Sequence, residues 1–122
     1  MQDLVGIVRQ EGEMHQALDK IAALRARAVQ VSVAGNREYN PGWHTALDLD
    51  NLLTVSEAIT RSAIERKESR GGHFRDDYPQ KDPKAQRYNI VTRRASDGTM
   101  VIDRVDIPPL PQHLQQVIDE EK

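Results

Sequence analysis

Residues 47–72, LDLDNLLTVSEAITRSAIERKESRGG, carry the pattern that decides the fold. Asp48 or Asp50 can cap the start of a helix in this stretch. The helix is expected to stop at Gly71 and Gly72, because glycine readily adopts the left-handed conformation found just beyond helix ends. Its apolar face consists of Leu47, Leu49, Leu52, Leu53, Val55, Ile59, Ala63 and Ile64.

A second amphipathic helix is predicted upstream, over residues 11–33, because apolar residues recur there at spacings of three and four. Residues 4–8 hold a shorter apolar segment that is also predicted to be helical. No capping residue precedes it, so we expect the sequence to be a piece of a longer chain. The segment 35–42, rich in glycine and proline, is predicted to be a turn. Together these elements predict a three-helix antiparallel bundle over residues 1–70. The stripe of the second helix is Met14, Leu18, Ile21, Leu24, Ala28 and Val31.

Residues 71–122 differ from the helical part in composition. They predict an extended tail that packs on the bundle as part of one domain. Two runs rich in Ile, Val and Thr flank Asp97-Gly98, and this dipeptide between such runs indicates a β-hairpin over residues 88–107. A short polar helix is predicted from Gln112 to Glu121. The fold class is therefore mainly α, with a hairpin in the tail.

Composition excludes several classes of protein. The chain has 122 residues, a mean hydropathy of -0.68 and no cysteine, so it holds one domain without disulfides or thiolate chemistry. No apolar run is long enough to cross a bilayer. The formal net charge is -2 and aromatic residues are scarce, which argues against nucleic acid as a partner. The cytoplasm is the default compartment.

The densest group of polar residues is RKESRGGHFR, residues 66–75. Cations there can simply complement the negative end of a helix dipole. Alternatively, the segment indicates a docking surface or an anion site. Its glycines allow a partner to approach the backbone closely, and its arginines can bind a carboxylate through two hydrogen bonds each. Asp76 and Asp77, which follow directly, are expected to be solvated. The candidate interface residues are Arg66, Glu68, Ser69, Arg70, Gly71, His73 and Arg75.

No catalytic, cofactor-binding or metal-ligating residue is predicted. The four histidines lack metal-site spacing, Ser69 lacks the sequence of a nucleophile elbow, and no glycine-rich phosphate-binding motif is present.

Residues 59–79, ITRSAIERKESRGGHFRDDYP, closely resemble the signature of the C-terminal domain of the succinate dehydrogenase and fumarate reductase flavoprotein subunit. The resemblance extends upstream through Val5-Gly6-Ile7-Val8-Arg9 and downstream through the hairpin, so it spans essentially the whole chain. L-aspartate oxidase shares a similar motif and remains an alternative, although the hairpin followed by prolines suits the first group better.

The resemblance implies a spectrin-repeat-like three-helix bundle in a protein that interconverts succinate and fumarate. It implies FAD in the full-length protein, bound by domains that precede this one, and no cofactor here. It implies two partners, the flavin-binding domain of the same subunit and an iron-sulfur subunit, and a cytoplasmic position on the inner face of the membrane without membrane insertion. The chain alone is expected to be inactive.

Under this hypothesis the seven candidate residues hold the bundle to the flavin domain or the iron-sulfur subunit. Their acidic partners are then expected on the other domain, and the charges are expected to be solvated in this chain alone. A free-standing helical adaptor, which uses the locally basic residues 61–94 to bind an acidic partner, is the alternative from a different class.

Overall fold

A computed structural model describes residues 1–120. The elements in chain order are β1 (Val8–Arg9), α1 (Glu11–Ala28), α2 (Pro41–Glu65), β2 (Phe74–Arg75), a 3-10 turn (Ala85–Arg87), β3 (Tyr88–Arg94), β4 (Met100–Asp106) and α3 (Gln112–Glu120). Residues 1–120 thus contain three α-helices and a small antiparallel hairpin, and β1 and β2 form a separate short parallel pair.

The helices α1 and α2 pack against each other in antiparallel directions. Arg25, near the end of α1, contacts Glu57 in the middle of α2, whereas Met14, near the start of α1, packs with Ala63 near the end of α2. The apolar core is small because most of the side chains on the predicted stripes face solvent at least in part. Its buried cluster consists of Val5, Met14, Ala17 and Ala63.

The start of α2 differs from the prediction. The helix begins at Pro41, and its N-cap is Asn40, whose side-chain oxygen accepts a hydrogen bond from the Gly42 N–H at 3.1 Å. Asp48 and Asp50 are therefore not the caps. An extended asparagine followed by proline at the first helical position is typical of the start of a helix. The prediction of a turn over residues 35–42 did not recognise this signal.

Two further predictions are wrong at the N-terminal side. The first helix ends at Ala28 instead of residue 33, where the alternating valines of residues 29–33 disfavour continuation. Residues 4–8 are not helical. Residues 2–7 form turns and bends, and β1 then pairs in parallel with β2, with the Asp76 N–H donating to the Arg9 carbonyl oxygen at 2.9 Å.

The predicted hairpin is confirmed. Its strands β3 and β4 pair from Tyr88 with Asp106 to Arg94 with Met100. Gly98 has φ +86°, the left-handed conformation that the Asp-Gly turn requires, so a side chain there would be strained. The hairpin contacts α2, and Arg104 of β4 donates to Glu65 at 2.6 Å.

The helix α3 is exposed along its whole length. None of its side chains is buried, so it does not complete a bundle with α1 and α2. The predicted end of this helix, Glu121, lies outside the described residues. The first segment of the predicted bundle is also not a helix, so residues 1–70 hold two helices, and α3 is the helix that was predicted to begin at Gln112. Neither α1, α2 nor α3 is long and apolar enough to cross a membrane.

Candidate functional site: an arginine–carboxylate cluster at the end of α2

The end of α2 is capped by an arginine instead of a glycine. The helix ends at Glu65, not at Gly71, and Arg75 Nη1 donates to the carbonyl oxygens of Ala63 at 2.9 Å and Ile64 at 3.2 Å. Helix ends leave such carbonyls without partners inside the helix, and a cation there also opposes the helix dipole. Because Arg75 lies on β2, this contact fixes the position of β2 against the end of α2.

Two carboxylates of this chain neutralise Arg75. Its Nη2 donates to Asp77 at 2.6 Å and to Glu11 at 3.1 Å, and its guanidinium lies 4.9 Å from the centre of the Tyr78 ring. The side chain is fully buried, with 0% of its surface exposed. Glu11 is in the first turn of α1, so Arg75 joins the start of α1 to the end of α2.

A second fully buried charge, Glu68, lies beside it. The carboxylate accepts hydrogen bonds from Arg66 at 2.6 Å and from Arg70 at 3.0 Å. It also accepts one from the Asp82 N–H at 2.9 Å. With three donors the buried carboxylate is fully satisfied, as a buried charge must be. We refer to Glu11, Arg66, Glu68, Arg70, Arg75 and Asp77 as the arginine–carboxylate cluster.

Ser69 and Gly71 shape the loop that carries the cluster. The Ser69 hydroxyl oxygen accepts from the Arg75 N–H at 2.8 Å and lies 2.9 Å from the Tyr78 carbonyl oxygen, to which it can donate. Gly71 has φ +59° in a tight turn in which Arg70 and His73 exchange backbone hydrogen bonds. Ser69 is thus a structural residue of the loop, and Gly71 makes the turn possible.

His73 is held as a neutral imidazole by two hydrogen bonds. Its Nε2 lies 3.0 Å from the Arg66 carbonyl oxygen, which can only accept, so Nε2 carries the proton. Its Nδ1 accepts from Arg9 Nη1 at 2.6 Å. Burial lowers the pKa of His73, and the nearby cations Arg9, Arg75 and Arg66 lower it further.

The arginines hold both central carboxylates in the ionised form. Hydrogen bonding from Arg70 lowers the pKa of Glu68 to about 2, against the opposing effect of burial. Hydrogen bonding from Arg75 likewise lowers the pKa of Asp77 to about 2. The same hydrogen bond raises the pKa of Arg75.

The structure brings the seven candidate residues together but corrects what was expected of their charges. Glu68, Ser69 and Arg75 are buried, not solvated, and the acidic partners come from this chain, not from another domain. Asp77 is exposed, as was expected, and its carboxylate is also the closest partner of Arg75.

Sequence reasoning also missed two participants. Glu11 lies 64 residues from Arg75 in the chain, and Arg9 lies equally far from His73. The parallel pairing of β1 with β2 brings both contacts about, and two-residue strands leave no periodic pattern in a sequence.

Within residues 1–120, histidine, aspartate and glutamate side chains form no group of three that could hold a metal ion.

Comparison with known proteins places the chain in a family. Residues 1–117 match the family described as the fumarate reductase flavoprotein C-terminal part. The fumarate reductase flavoprotein subunit of Haemophilus influenzae is 41% identical over 83 residues, which is 67% of this chain and 14% of that protein. The succinate dehydrogenase flavoprotein subunit of Coxiella burnetii is 39% identical over the same share of each chain.

L-aspartate oxidase 1 of Ralstonia nicotianae is 40% identical over 88 residues, which cover 70% of this chain and 15% of that protein. Among solved structures, Mycobacterium smegmatis Sdh1 in complex with UQ1 superposes with a TM-score of 0.89 and 39% identity, over 99% of this chain and 21% of that one. The chain therefore spans 14% to 15% of the length of these curated relatives.

The resemblance found in residues 59–79 is confirmed by the family match, which extends over nearly the whole chain. It is also confirmed by the fold, since 99% of this chain superposes on part of Sdh1. The chain belongs to the fumarate reductase flavoprotein C-terminal family.

Proposed function

We propose that this chain is the C-terminal part of a flavoprotein subunit that interconverts succinate and fumarate. The single observation that carries the proposal is the family match over residues 1–117, supported by flavoprotein subunits of fumarate reductase and succinate dehydrogenase among the relatives. In the full-length protein FAD is the redox cofactor, and it supplies the hydride chemistry.

The role of this segment is structural and not catalytic. Residues 1–120 offer no dinucleotide-binding glycine motif, and their arginines are engaged mainly with carboxylates and carbonyls of the chain itself, so the FAD is assigned to the rest of the subunit. Residues 1–70 and 71–122 act as one unit, since Arg75 and β2 bind elements on both sides of residue 70.

The unit docks on the flavin-binding part of its own subunit, and the exposed or half-exposed members of the motif provide the contact. Arg66, Arg70, Gly71 and His73 keep accessible surface, while the buried Glu68, Ser69 and Arg75 hold them in place. The further partner is an iron-sulfur subunit, and through the assembled complex the chain lies peripherally on the cytoplasmic, inner face of the membrane. Two of the solved relatives are titled as complexes or as quinol-fumarate reductase, which supports assembly with partners.

The proposal is tested with the complete gene product that contains this segment. We expect that protein to carry flavin absorbance and to reduce an artificial electron acceptor with succinate, whereas the 122-residue chain alone does neither. Flavin that co-purifies with the 122-residue chain would contradict the assignment of FAD to the rest of the subunit.

L-aspartate oxidase is the second candidate, because an L-aspartate oxidase is 40% identical to this chain over 88 residues. The same preparation distinguishes the two activities. Oxidation of L-aspartate with production of hydrogen peroxide, without reaction with succinate, would favour this candidate. A free-standing adaptor is disfavoured, because several arginines of the basic segment already have carboxylate partners within the chain.

A further inference from the structure

Arg9 differs from the other arginines that are shielded from solvent. In the described part of the chain, the remaining arginines that are buried or half-buried each have a carboxylate partner, and these are Arg25, Arg66, Arg70 and Arg75. Arg9 is half-buried and forms no ion pair with any residue from 1 to 120. Burial and the nearby Arg75 disfavour the charged form of Arg9 and lower its pKa, so a carboxylate beside it would be favourable.

The hydrogen bonds of Arg9 leave one side of its guanidinium free. Its Nε donates to the Gly6 carbonyl oxygen at 2.7 Å, and its Nη1 donates to His73 Nδ1 at 2.6 Å. Its Nη2 has no acceptor among the described residues. His73 is neutral, as its hydrogen bonds require, so it orients the guanidinium but does not reduce its charge.

The surface around Arg9 is a depression of about 500 Å³ between α2 and the hairpin. Arg66 also lines it, and Arg66 shares its only carboxylate, Glu68, with Arg70. Glu68 is thus shared between two arginines, and Asp82 is a further acidic group near Arg70, so the surface beside Arg9 carries a second cation that is already paired. Ser62 and Asn89 add polar groups, and Ile59, which is 45% exposed, adds apolar surface. No carboxylate lines the depression.

We propose that this depression, the Arg9 cavity, binds an aspartate or glutamate side chain from the flavin-binding part of the same subunit. The inference rests on the proposed function for the identity of the occupant. An arginine without a carboxylate partner, Arg9, beside Arg66 and an adjacent apolar side chain fits a carboxylate on a short aliphatic stem. A guanidinium held by Gly6 and His73 is already oriented, so binding costs little side-chain entropy. Arg9 is the residue that recognises the carboxylate, and His73 is a positioning residue.

The first test uses the 122-residue chain and the probe N-acetyl-L-glutamate N′-methylamide, followed by ¹H–¹⁵N spectra. We expect saturable shifts at Arg9, His73 and Asn89. Asn89→Asp places a carboxylate in the cavity at almost unchanged volume and should weaken binding about tenfold, because like charges compete for the same site. Asn51→Asp, an exposed site on α2 that does not line the cavity, is the matched control and should leave binding unchanged. Shifts that do not saturate, or equal effects of the two variants, would overturn the proposal.

The second test uses phenylglyoxal, which modifies accessible guanidinium groups, to ask whether Arg9 is covered in the complete subunit. Arg9 should react in the 122-residue chain and lose its reactivity in the complete subunit, while the exposed Arg27 should react in both. Equal modification of Arg9 in both preparations would overturn the proposal. Flavin absorbance of the same subunit reports on the proposed function separately, so protection of Arg9 in a subunit without flavin would contradict that function and not the carboxylate contact.

Discussion

The arginine–carboxylate cluster and the C-terminal helix α3 show opposite relations between polarity and burial. The cluster is polar, yet two of its side chains, Arg75 and Glu68, are among the largest fully buried ones in the described residues. The helix α3 has an apolar face of Leu114, Val117 and Ile118, yet these side chains are 44% to 53% exposed.

The comparison shows that the apolar character of a segment does not decide whether its side chains are buried against the rest of this chain. Residues 66–77 are held because each buried charge has partners of opposite charge and the end of α2 supplies carbonyl acceptors. The apolar core is too small to order the loop by itself. In the C-terminal helix, by contrast, no side chain is buried.

The largest effect is expected from Arg75→Met. Methionine keeps much of the volume but leaves Asp77 and Glu11 without their cation and the end of α2 without its cap. Breaking a buried ion pair in this way costs about 3–5 kcal/mol. Urea unfolding of the 122-residue chain measures the loss, and Arg27→Met, at an exposed position of α1, is the control. A loss no larger than that of the control would show that the cluster does not hold the fold.

A smaller loss is expected from Glu68→Gln. Glutamine can still accept hydrogen bonds but removes the charge that Arg66 and Arg70 share, which costs roughly 2–3 kcal/mol for a charged hydrogen-bonded group. The free energy of unfolding in urea reports this change. Glu38→Gln in the exposed loop before α2 should change it little, and a similar effect of both substitutions would contradict the structural importance of Glu68.

Acid should weaken the cluster within a defined range of pH. The pKa values of Glu68 and Asp77 are about 2 in the folded chain, against ordinary values of 4.5 and 3.8. The unfolded chain therefore binds protons first, so stability from these groups is present above the ordinary values and is lost as the pH falls toward 2. Thermal unfolding followed by circular dichroism at several pH values should show this fall, and Glu68→Gln should make it shallower. A stability that is constant across this range would contradict the lowered pKa values of the two carboxylates.

The smallest effect is expected from Val117→Asp in α3. Because this side chain is 53% exposed and no side chain of α3 is buried, its replacement should change the free energy of unfolding of the 122-residue chain by less than about 0.5 kcal/mol. The change is measured by the same urea titration. A loss comparable to that of Glu68→Gln would mean that α3 packs on the remainder of the chain.

Local patterns predicted the parts of the fold that depend on neighbouring residues. The hairpin followed from Asp97-Gly98 between two β-rich runs, and the two long helices followed from their apolar spacing. The ends of the helices could not be predicted in this way, because they depend on contacts with residues that are distant in the sequence. The helix α2 stops at Glu65 because Arg75 binds its last carbonyls, whereas Gly71 gave the stronger local signal.

The sequence predicted which residues belong to the candidate site, but it did not predict how their side chains pair with one another. The sequence placed Arg66, Glu68, Arg70 and Arg75 together, and the cations appeared to need partners elsewhere. Asp77 supplies one of them locally, two residues from Arg75, whereas Glu11 supplies the other through the pairing of β1 with β2, and nothing local signals a contact across 64 residues. The family could be recognised early because its motif is contiguous in the chain.

The most direct test of the account is a double-mutant cycle between Arg75 and Asp77, measured as free energies of unfolding of wild type, Arg75→Gln, Asp77→Asn and the double variant. If the chain's own carboxylates neutralise Arg75, the coupling energy should exceed about 1 kcal/mol, as is typical of side chains in direct contact within an ion-pair network. A coupling energy near zero would contradict the account, because Arg75 would then be held by something other than the carboxylates of this chain.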